Sequence, residues 1–321
     1  MSILTRLRWQ LFSENFNREY VLIRSKYEVK FVKMDVPPMA IFCLDNRTSL
    51  CGFADRLKGM VSCYAYAKAI GIPFRIEHIV PFDLSDYFVP NKYEWRVKSS
   101  EKSYNLLYAN PIFWLNWLNP VLSINTRIFK SNTKRQHHFY TNTDFVNKVN
   151  VEYNKNYTFG ELFSELFKPS LMLEKAINEQ KSQIGGNYVS VSFRFMQLMG
   201  DFKDSWGDVL SEEDKVDLLE KSLIIVRQLY EQEQKTVLVT SDSQTFIDFV
   251  SKQDFVYVIP GTIGHIGYSQ DDGVTEKMFI DFCMISQADH VYMAHSGKMY
   301  RSAFAKTAAL STNTPYTEIS Y

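Results

Sequence analysis

Short apolar runs along the chain alternate with stretches in which apolar residues recur at helical spacing. Residues 39–44 form one such run, and apolar positions between 57 and 65 then repeat every three or four residues up to Gly71. A short continuous apolar run bounded by turn residues is typical of a strand buried in a parallel sheet. The run 39–44, the helical stretch and residues 74–76 therefore predict the strand-helix-strand unit of a doubly wound sheet.

The second half of the chain shows the same alternation. Strands are predicted at 188–193, 236–239, 255–259 and 290–293, and helices from the Ser211 capping box and over 275–286 and 298–309. Gly185-Gly186 precedes this half and has the composition of a hinge. We therefore predict an α/β protein of two Rossmann-like domains that face each other across a cleft. The first spans residues 1–183, and the second spans residues 184–321.

Polar residues that follow the predicted strands are the candidates for ligand binding, because such sheets bind ligands beyond the carboxyl ends of their strands. Arg194 follows the strand 188–193, and a guanidinium there can hold a phosphate bidentately. Asp242 and Asp281 are candidates to accept hydrogen bonds from a base or ribose, with a helix N-cap as the alternative for Asp242. Ser296 and Gly297 form a turn before a predicted helix, where free N–H groups face an anion. Together these residues suggest a site for a nucleotide diphosphate.

The composition narrows the class of protein. The 321 residues are 45% hydrophobic, and 36 basic residues balance 36 acidic ones, which gives no support for nucleic-acid binding. The four cysteines match neither a zinc pattern nor a disulfide framework. No apolar run is long enough to span a membrane, and no signal peptide is evident, so we expect a cytoplasmic protein. Residues 1–12 suit a peripheral membrane contact, with a helix packed on the protein body as the alternative.

Several catalytic signatures are missing from the sequence. It contains no Gly-x-Gly-x-x-Gly, no P-loop and no Gly-x-Ser-x-Gly, which removes the fingerprints of dehydrogenases, kinases and serine hydrolases. It also contains no Asp-x-Asp, the close carboxylate pair that commonly holds a metal-bound pyrophosphate. We therefore expect arginine and helix N-termini, without a metal, to neutralise the diphosphate.

Three segments occur in the order of known fucosyltransferase motifs. The block at 280–303, with Asp281, Ser286-Gln287-Ala288-Asp289, Ser296 and Arg301, resembles the C-terminal motif of the α1,6-fucosyltransferases, including the bacterial nodulation enzymes. Residues 189–194 resemble their His-x-Arg motif. Residues 51–59 are similar to the Gly-rich N-terminal motif of the wider superfamily.

The resemblance implies a GT-B fold and metal-independent, inverting transfer of fucose from GDP-fucose. GDP-fucose is the donor substrate, and no cofactor is expected. By position, Arg194 would hold the β-phosphate and Asp281 would contact the guanine. The Ser296-Gly297 turn would contact the diphosphate, and Gly52 and Arg56 would border the cleft from the first domain. A glycan or lipid-linked glycan would be the acceptor.

The chain also departs from the family pattern. Ser192 stands where the family has the His of His-x-Arg, and we assign it to the donor site; the donor is then GDP-fucose or a related sugar nucleotide. Asp201, Asp204 and Asp55 are the candidates for the general base that deprotonates the acceptor. Two other interpretations remain open: a GT-B-like nucleotide-sugar epimerase or hydrolase, and a non-catalytic protein that binds a glycan or a partner.

The region between residues 80 and 180 is rich in aromatic residues and gives no clear pattern of elements. Trp95, Trp114 and Trp117 are candidates to line a sugar-binding cleft, with core or surface packing as the alternative. Residues 134–138 read as a basic turn exposed to solvent.

Overall fold

The computed structural model describes residues 25–44, 52–114, 134–201, 208–264 and 271–321. The chain divides into two compact units, residues 1–168 and residues 169–321. The boundary predicted from the sequence lies between residues 183 and 184. The helix Leu171–Ile184, which was assigned to the first domain, belongs to the second unit. Each unit contains its own parallel sheet with helices packed on it.

The sheet of the first unit has four parallel strands in the spatial order β2-β1-β5-β4. They are β1 (Ala40–Leu44), β2 (Phe74–His78), β4 (Ala109–Trp114) and β5 (Gln136–Thr141). A separate two-stranded sheet pairs β3 (Phe88–Pro90) with β6 (Phe167–Pro169). The helices of this unit are α1 (Phe53–Ile70), α2 (Val146–Tyr153) and α3 (Phe159–Leu166). The predicted strand-helix-strand unit at the start of the chain is therefore confirmed as β1, α1 and β2.

Helix α1 lies very close to the sheet at Gly59. A Cβ added at this position would stand 2.3 Å from the carbonyl oxygen of Thr141 and 2.8 Å from the Phe42 ring. Glycine is thus the residue that allows the helix to approach β1 and β5. The helix ends at Gly71, which adopts the left-handed conformation, with φ of 73°, that favours glycine.

The predicted basic turn at 134–138 is wrong for residues 136–138. These three residues begin β5, which lies between β1 and β4, and their side chains are buried. Tyrosine hydroxyls satisfy the two imidazoles: Tyr66 lies 3.0 Å from Nδ1 of His137, and Tyr27 lies 2.8 Å from Nδ1 of His138. Burial lowers the pKa of His138 well below its ordinary value, so that this ring is neutral.

Trp95 belongs to the core of the first unit. Its side chain is buried, and its Nε1 donates a hydrogen bond to the carbonyl oxygen of Leu166 at 2.8 Å. The alternative of core packing is therefore confirmed for Trp95. The side chain of Trp114, all of Trp117 and residues 1–12 lie outside the described residues. In the part of the chain that is described, no helix combines the length and the apolar character needed to cross a bilayer.

The sheet of the second unit has five parallel strands in the order β11-β10-β7-β8-β9. They are β7 (Tyr188–Phe193), β8 (Thr236–Ser241), β9 (Val256–Tyr257), β10 (Val291–His295) and β11 (Tyr316–Ser320). The helices are α4 (Leu171–Ile184), α5 (Glu212–Glu233), α6 (Gln244–Val250), α7 (Asp272–Ser286) and α8 (Phe304–Thr312). This is the order of a Rossmann half, in which the direction of winding reverses between β7 and β10.

The last helix does not begin where the sequence pattern predicts. Helix α8 begins at Phe304 instead of 298, so the Ser296-Gly297 turn leads into an irregular loop. Met299 is buried in the core, and the N–H of Tyr300 donates to the carbonyl oxygen of Arg194 at 3.0 Å. These two contacts hold the loop in a non-helical path. Strand β11 was not predicted, because its mixed polar sequence lies at the edge of the sheet.

The close approach at Gly59 gives the first testable prediction. The substitution Gly59→Ala should lower the free energy of unfolding by about 1–3 kcal/mol, because the methyl group overlaps backbone and ring atoms. Unfolding in urea measures the change. Gly273→Ala is the matched control, since its methyl would meet only a side-chain oxygen of Asp271 at 3.1 Å. Equal stability of both variants would contradict the account of Gly59.

Candidate active site at the carboxyl edge of the second sheet

The loops that follow β7 and β10 meet where the winding of the second sheet reverses. Arg194 is the first residue after β7, and Ser296 and Gly297 follow β10 directly. The hydrogen bond from the Tyr300 N–H to the Arg194 carbonyl joins the two loops. The reversal of strand order opens a crevice at this point of a doubly wound sheet. The structure thus brings together two of the predicted site elements, which lie about a hundred residues apart in the sequence.

The Asp242 carboxylate, at the end of β8, holds Arg194 and the turn that follows it. Its Oδ2 lies 3.0 Å from Nη1 of Arg194. The N–H of Phe195 donates to Oδ1 and the N–H of Met196 donates to Oδ2, both at 2.8 Å. Met196 has a φ of 58°, in the left-handed region, which marks a tight turn. One carboxylate therefore fixes both the backbone of the turn and the direction of the guanidinium.

Burial and hydrogen bonding shift the pKa of Asp242 in opposite directions. Burial raises the pKa of this carboxyl, and the Arg194 charge and the backbone N–H groups of Phe195, Met196 and Asp242 itself offset part of the rise. The N-cap alternative for Asp242 is wrong: the Ser243 hydroxyl caps α6 by accepting from the N–H of Phe246 at 3.1 Å.

Ser192 lies at the same edge of the sheet, near the end of β7. Its hydroxyl forms a hydrogen bond of 2.7 Å with the hydroxyl of Thr240, which is its register partner on β8. Both side chains are buried. Thr240 was not predicted as a site residue, because the register that pairs it with Ser192 is not visible in either strand alone.

Asp201 lies beside the first turn of helix α6. Its carboxylate accepts hydrogen bonds from the Ser243 hydroxyl and, at 2.5 Å, from the Thr245 hydroxyl. The N–H of Thr245 also donates to it, at 3.3 Å. This set of donors is typical of a carboxylate that stabilises a helix N-terminus. Asp204, the neighbouring candidate, lies outside the described residues.

Asp281 forms an ion pair with Lys277, one turn earlier on α7. The Lys277 Nζ lies 2.8 Å from each carboxylate oxygen of Asp281, and both side chains are largely buried. Burial raises the pKa of Asp281, while the Lys277 charge lowers it. The lysine stem packs against Gly261, where an added Cβ would stand 3.2 Å from Cδ. Lys277 was not predicted as a site residue, although its four-residue spacing from Asp281 is a detectable signal.

The candidates of the first unit lie at the start of α1. The carbonyl oxygen of Gly52 accepts from the N–H groups of Asp55 and Arg56, and the Asp55 carboxylate pairs with Lys58 at 2.6 Å. Arg56 is buried, and its Nη1 lies 3.3 Å from Nε2 of His78.

The imidazole of His78 is neutral and accepts this hydrogen bond from Arg56. Burial, together with the Arg56 charge, lowers the pKa of His78 to about 3. Its Nδ1 lies 3.2 Å from the carbonyl oxygen of Phe82, so Nδ1 carries the proton and Nε2 is the acceptor. His78 was not predicted as a site residue, because it lies at the end of β2 and contacts Arg56 only in the folded chain.

No group of three or more His, Cys, Asp and Glu side chains with the geometry of a metal site occurs within the described ranges. At the carboxyl edge of the second sheet, the groups able to donate hydrogen bonds to an anion are the Arg194 guanidinium, the Ser296 hydroxyl and the backbone N–H groups of residues 296–298. The N–H groups of Met299 and Tyr300 already donate to the carbonyl oxygens of Ser296 and Arg194.

Comparisons with known proteins identify the fold. No protein-family model matches the chain, and no curated protein matches it in sequence. A GDP complex of a variant of Arabidopsis thaliana FUT1 superposes with a TM-score of 0.59 at 10% identity, covering 98% of this chain and 76% of that one. NodZ α-1,6-fucosyltransferase soaked with GDP-fucose superposes with a TM-score of 0.52 at 14% identity, covering 85% of this chain and 92% of that one.

A third solved structure, the apo-form of POFUT1, has a TM-score of 0.50 at 12% identity and covers 90% of this chain and 99% of that one. The predicted class, an α/β protein of GT-B type, is thereby confirmed. The chain is fucosyltransferase-like in fold and divergent in sequence, in agreement with the motif resemblance.

The role of Asp242 can be tested through stability. Asp242→Ala should lower the free energy of unfolding by about 3 kcal/mol, because it leaves a largely buried guanidinium and two backbone N–H groups without their acceptor. Urea denaturation measures the loss. The control Asp217→Ala removes an exposed ion pair with Lys221 and should cost less than about 1 kcal/mol. A loss at Asp242 no larger than that of the control would contradict the assigned role.

Proposed function

We propose that this protein is an inverting, metal-independent glycosyltransferase that moves fucose, or a related sugar, from a GDP-sugar to a glycan acceptor. The observation that carries the proposal is the position of Arg194, which Asp242 holds beside the Ser296-Gly297 turn at the crevice of a Rossmann half. The fold supports it, since FUT1 and NodZ have been solved with GDP and GDP-fucose.

In the proposed reaction, an acceptor hydroxyl attacks the anomeric carbon from the face opposite the diphosphate. The new oxygen–carbon bond forms as the bond from the anomeric carbon to the phosphate oxygen breaks, and the hydroxyl proton passes to a base. The departing GDP gains negative charge, so groups already fixed around its phosphates lower the barrier most. Arg194 and the N–H groups of the Ser296-Gly297 turn would be these groups.

The remaining donor-site residues receive narrower roles. Asp242 keeps the Arg194 guanidinium in place at the diphosphate and is a positioning residue for it. Asp281 offers its remaining lone pairs to the N–H groups of guanine, and the Lys277 charge favours the ionised form of that carboxylate. The Ser192–Thr240 hydroxyl pair replaces the family's His beside the base.

The acceptor side is assigned to the first unit, at the start of α1, where Gly52 and Arg56 lie. Asp55 is the better candidate for the general base, because its only described partner is the Lys58 ammonium. Asp201 is the weaker candidate, because three donors at the start of α6 already engage its carboxylate. Hydrolysis of a sugar nucleotide without any acceptor would instead favour the epimerase or hydrolase alternative.

Nucleotide binding tests the proposal directly. In a thermal-shift panel of GDP, UDP, CMP, ADP and their sugars, GDP compounds should raise the Tm selectively, with EDTA as well as with Mg²⁺. A ligand at 100 times its Kd adds about 2.7 kcal/mol of stability, which such an assay resolves. Arg194→Ala should abolish the shift, because the fixed positive charge facing the diphosphate is lost.

The matched control is Arg227→Ala, which removes an exposed arginine from α5 in the same unit and should leave the shift unchanged. A Tm shift selective for UDP or CMP compounds would mean that the donor is a UDP-sugar or a CMP-sugar; the assigned fold would be unaffected. The absence of any shift in the wild-type protein would contradict the catalytic proposal and favour a non-catalytic binding protein.

A further inference from the structure

An extended segment of the first unit, residues 28–34, is held in place through its backbone. The N–H of Glu28 donates to the carbonyl oxygen of Tyr104 at 3.1 Å. The buried Asn105 side chain accepts from the N–H of Lys30 at 3.3 Å and donates to its carbonyl oxygen at 2.7 Å. The Tyr108 hydroxyl donates to the carbonyl oxygen of residue 32 at 3.0 Å and accepts from the N–H of residue 34 at 3.1 Å. The path of this segment is therefore fixed along its length.

The apolar side chains of this fixed segment point into solvent. Phe31 is 91% exposed, and Val29 and Val32 are 54% and 58% exposed. Met34 is partly exposed, as is Leu107 in the loop that holds the segment. We call the side chains of Val29, Phe31, Val32 and Met34 the apolar ridge. Exposed apolar side chains grouped within six residues of a hydrogen-bonded backbone are a feature of interaction surfaces.

Positive charge surrounds the apolar ridge. Lys30 and Lys33 lie within the segment and are exposed. The exposed pair Lys134-Arg135 lies beside it, because Nη1 of Arg135 donates to the carbonyl oxygen of Leu106 at 3.4 Å, in the loop that holds the segment. Two exposed carboxylates, of Glu28 and Asp35, oppose these four cations, and Glu28 pairs with Lys30. The patch is thus cationic on a chain whose net charge is zero.

We propose that the apolar ridge and its four cations bind an anionic lipid surface. Phe31 and the two valines would enter the boundary between headgroups and acyl chains, and the lysines would meet the lipid phosphates. The exposed apolar side chains and the nearby cations supply two attractions to such a surface: burial of apolar area at the headgroup boundary and electrostatic attraction to anionic lipids. Lysine is depleted from protein–protein interfaces, and this favours lipid over a second protein as the partner. The patch is distinct from residues 1–12, and the proposal does not depend on the glycosyltransferase activity.

Co-sedimentation of the full chain with vesicles tests the proposal. Vesicles of phosphatidylcholine with phosphatidylserine should bind the protein, whereas vesicles of phosphatidylcholine alone should bind it far less, and added salt should weaken the binding. The variant Phe31→Ser/Val32→Ser should lower the partition coefficient about tenfold. Lys33→Gln/Lys134→Gln should lower it several-fold, on anionic vesicles only. Circular dichroism and the Tm establish that each variant is folded.

The matched control is Val151→Ser, which removes an equally exposed apolar side chain, 86% exposed, from helix α2. It should leave vesicle binding unchanged. Equal vesicle binding by the wild type and the Phe31→Ser/Val32→Ser variant would overturn the proposal. Equal binding of the wild type to vesicles with and without phosphatidylserine would also overturn it. Self-association of the wild type that this variant abolishes, without any vesicle binding, would also overturn it and assign the ridge to contact between two copies.

Discussion

The ion pair between Arg194 and Asp242 connects the ends of two neighbouring strands, and the proposed donor site depends on it. A free arginine side chain loses considerable rotamer entropy when it binds a phosphate. Here the side chain of Arg194 is already ordered in the folded protein, so little rotamer entropy remains to be lost on binding. Asp242 holds the guanidinium, and the N–H groups of Phe195 and Met196 hold Asp242. A guanidinium fixed before the ligand arrives can stabilise a charge that develops during the reaction.

The parallel sheet explains why distant residues share this site. In a Rossmann half every strand ends at the same edge, so the residues after β7, β8 and β10 become neighbours regardless of their separation in sequence. Arg194, Asp242 and Ser296 are those residues. The same geometry applies to the first sheet, where the end of β2 brings His78 to Arg56.

The residues at this edge of the second sheet could be predicted from the sequence, because buried strands appear there as apolar runs. Strand β7 has the predicted bounds, so Arg194 was found as the residue that follows it. Partners fixed by register or helix packing were not found: Thr240 meets Ser192 only across two strands. The buried imidazole of His138 was read as exposed, because the tyrosine that satisfies it lies 111 residues away in sequence. Helix α8 was placed too early, since the contacts of Met299 that prevent it are tertiary.

The most direct test of the central claim is a crystal structure of the protein soaked with GDP. The account predicts that the diphosphate lies within hydrogen-bonding distance of the Arg194 guanidinium and of the N–H groups of the loop after β10. It also predicts that the Arg194–Asp242 pair is retained in the complex. A diphosphate bound elsewhere, or an Arg194 side chain that turns away from Asp242 to reach it, would contradict the account.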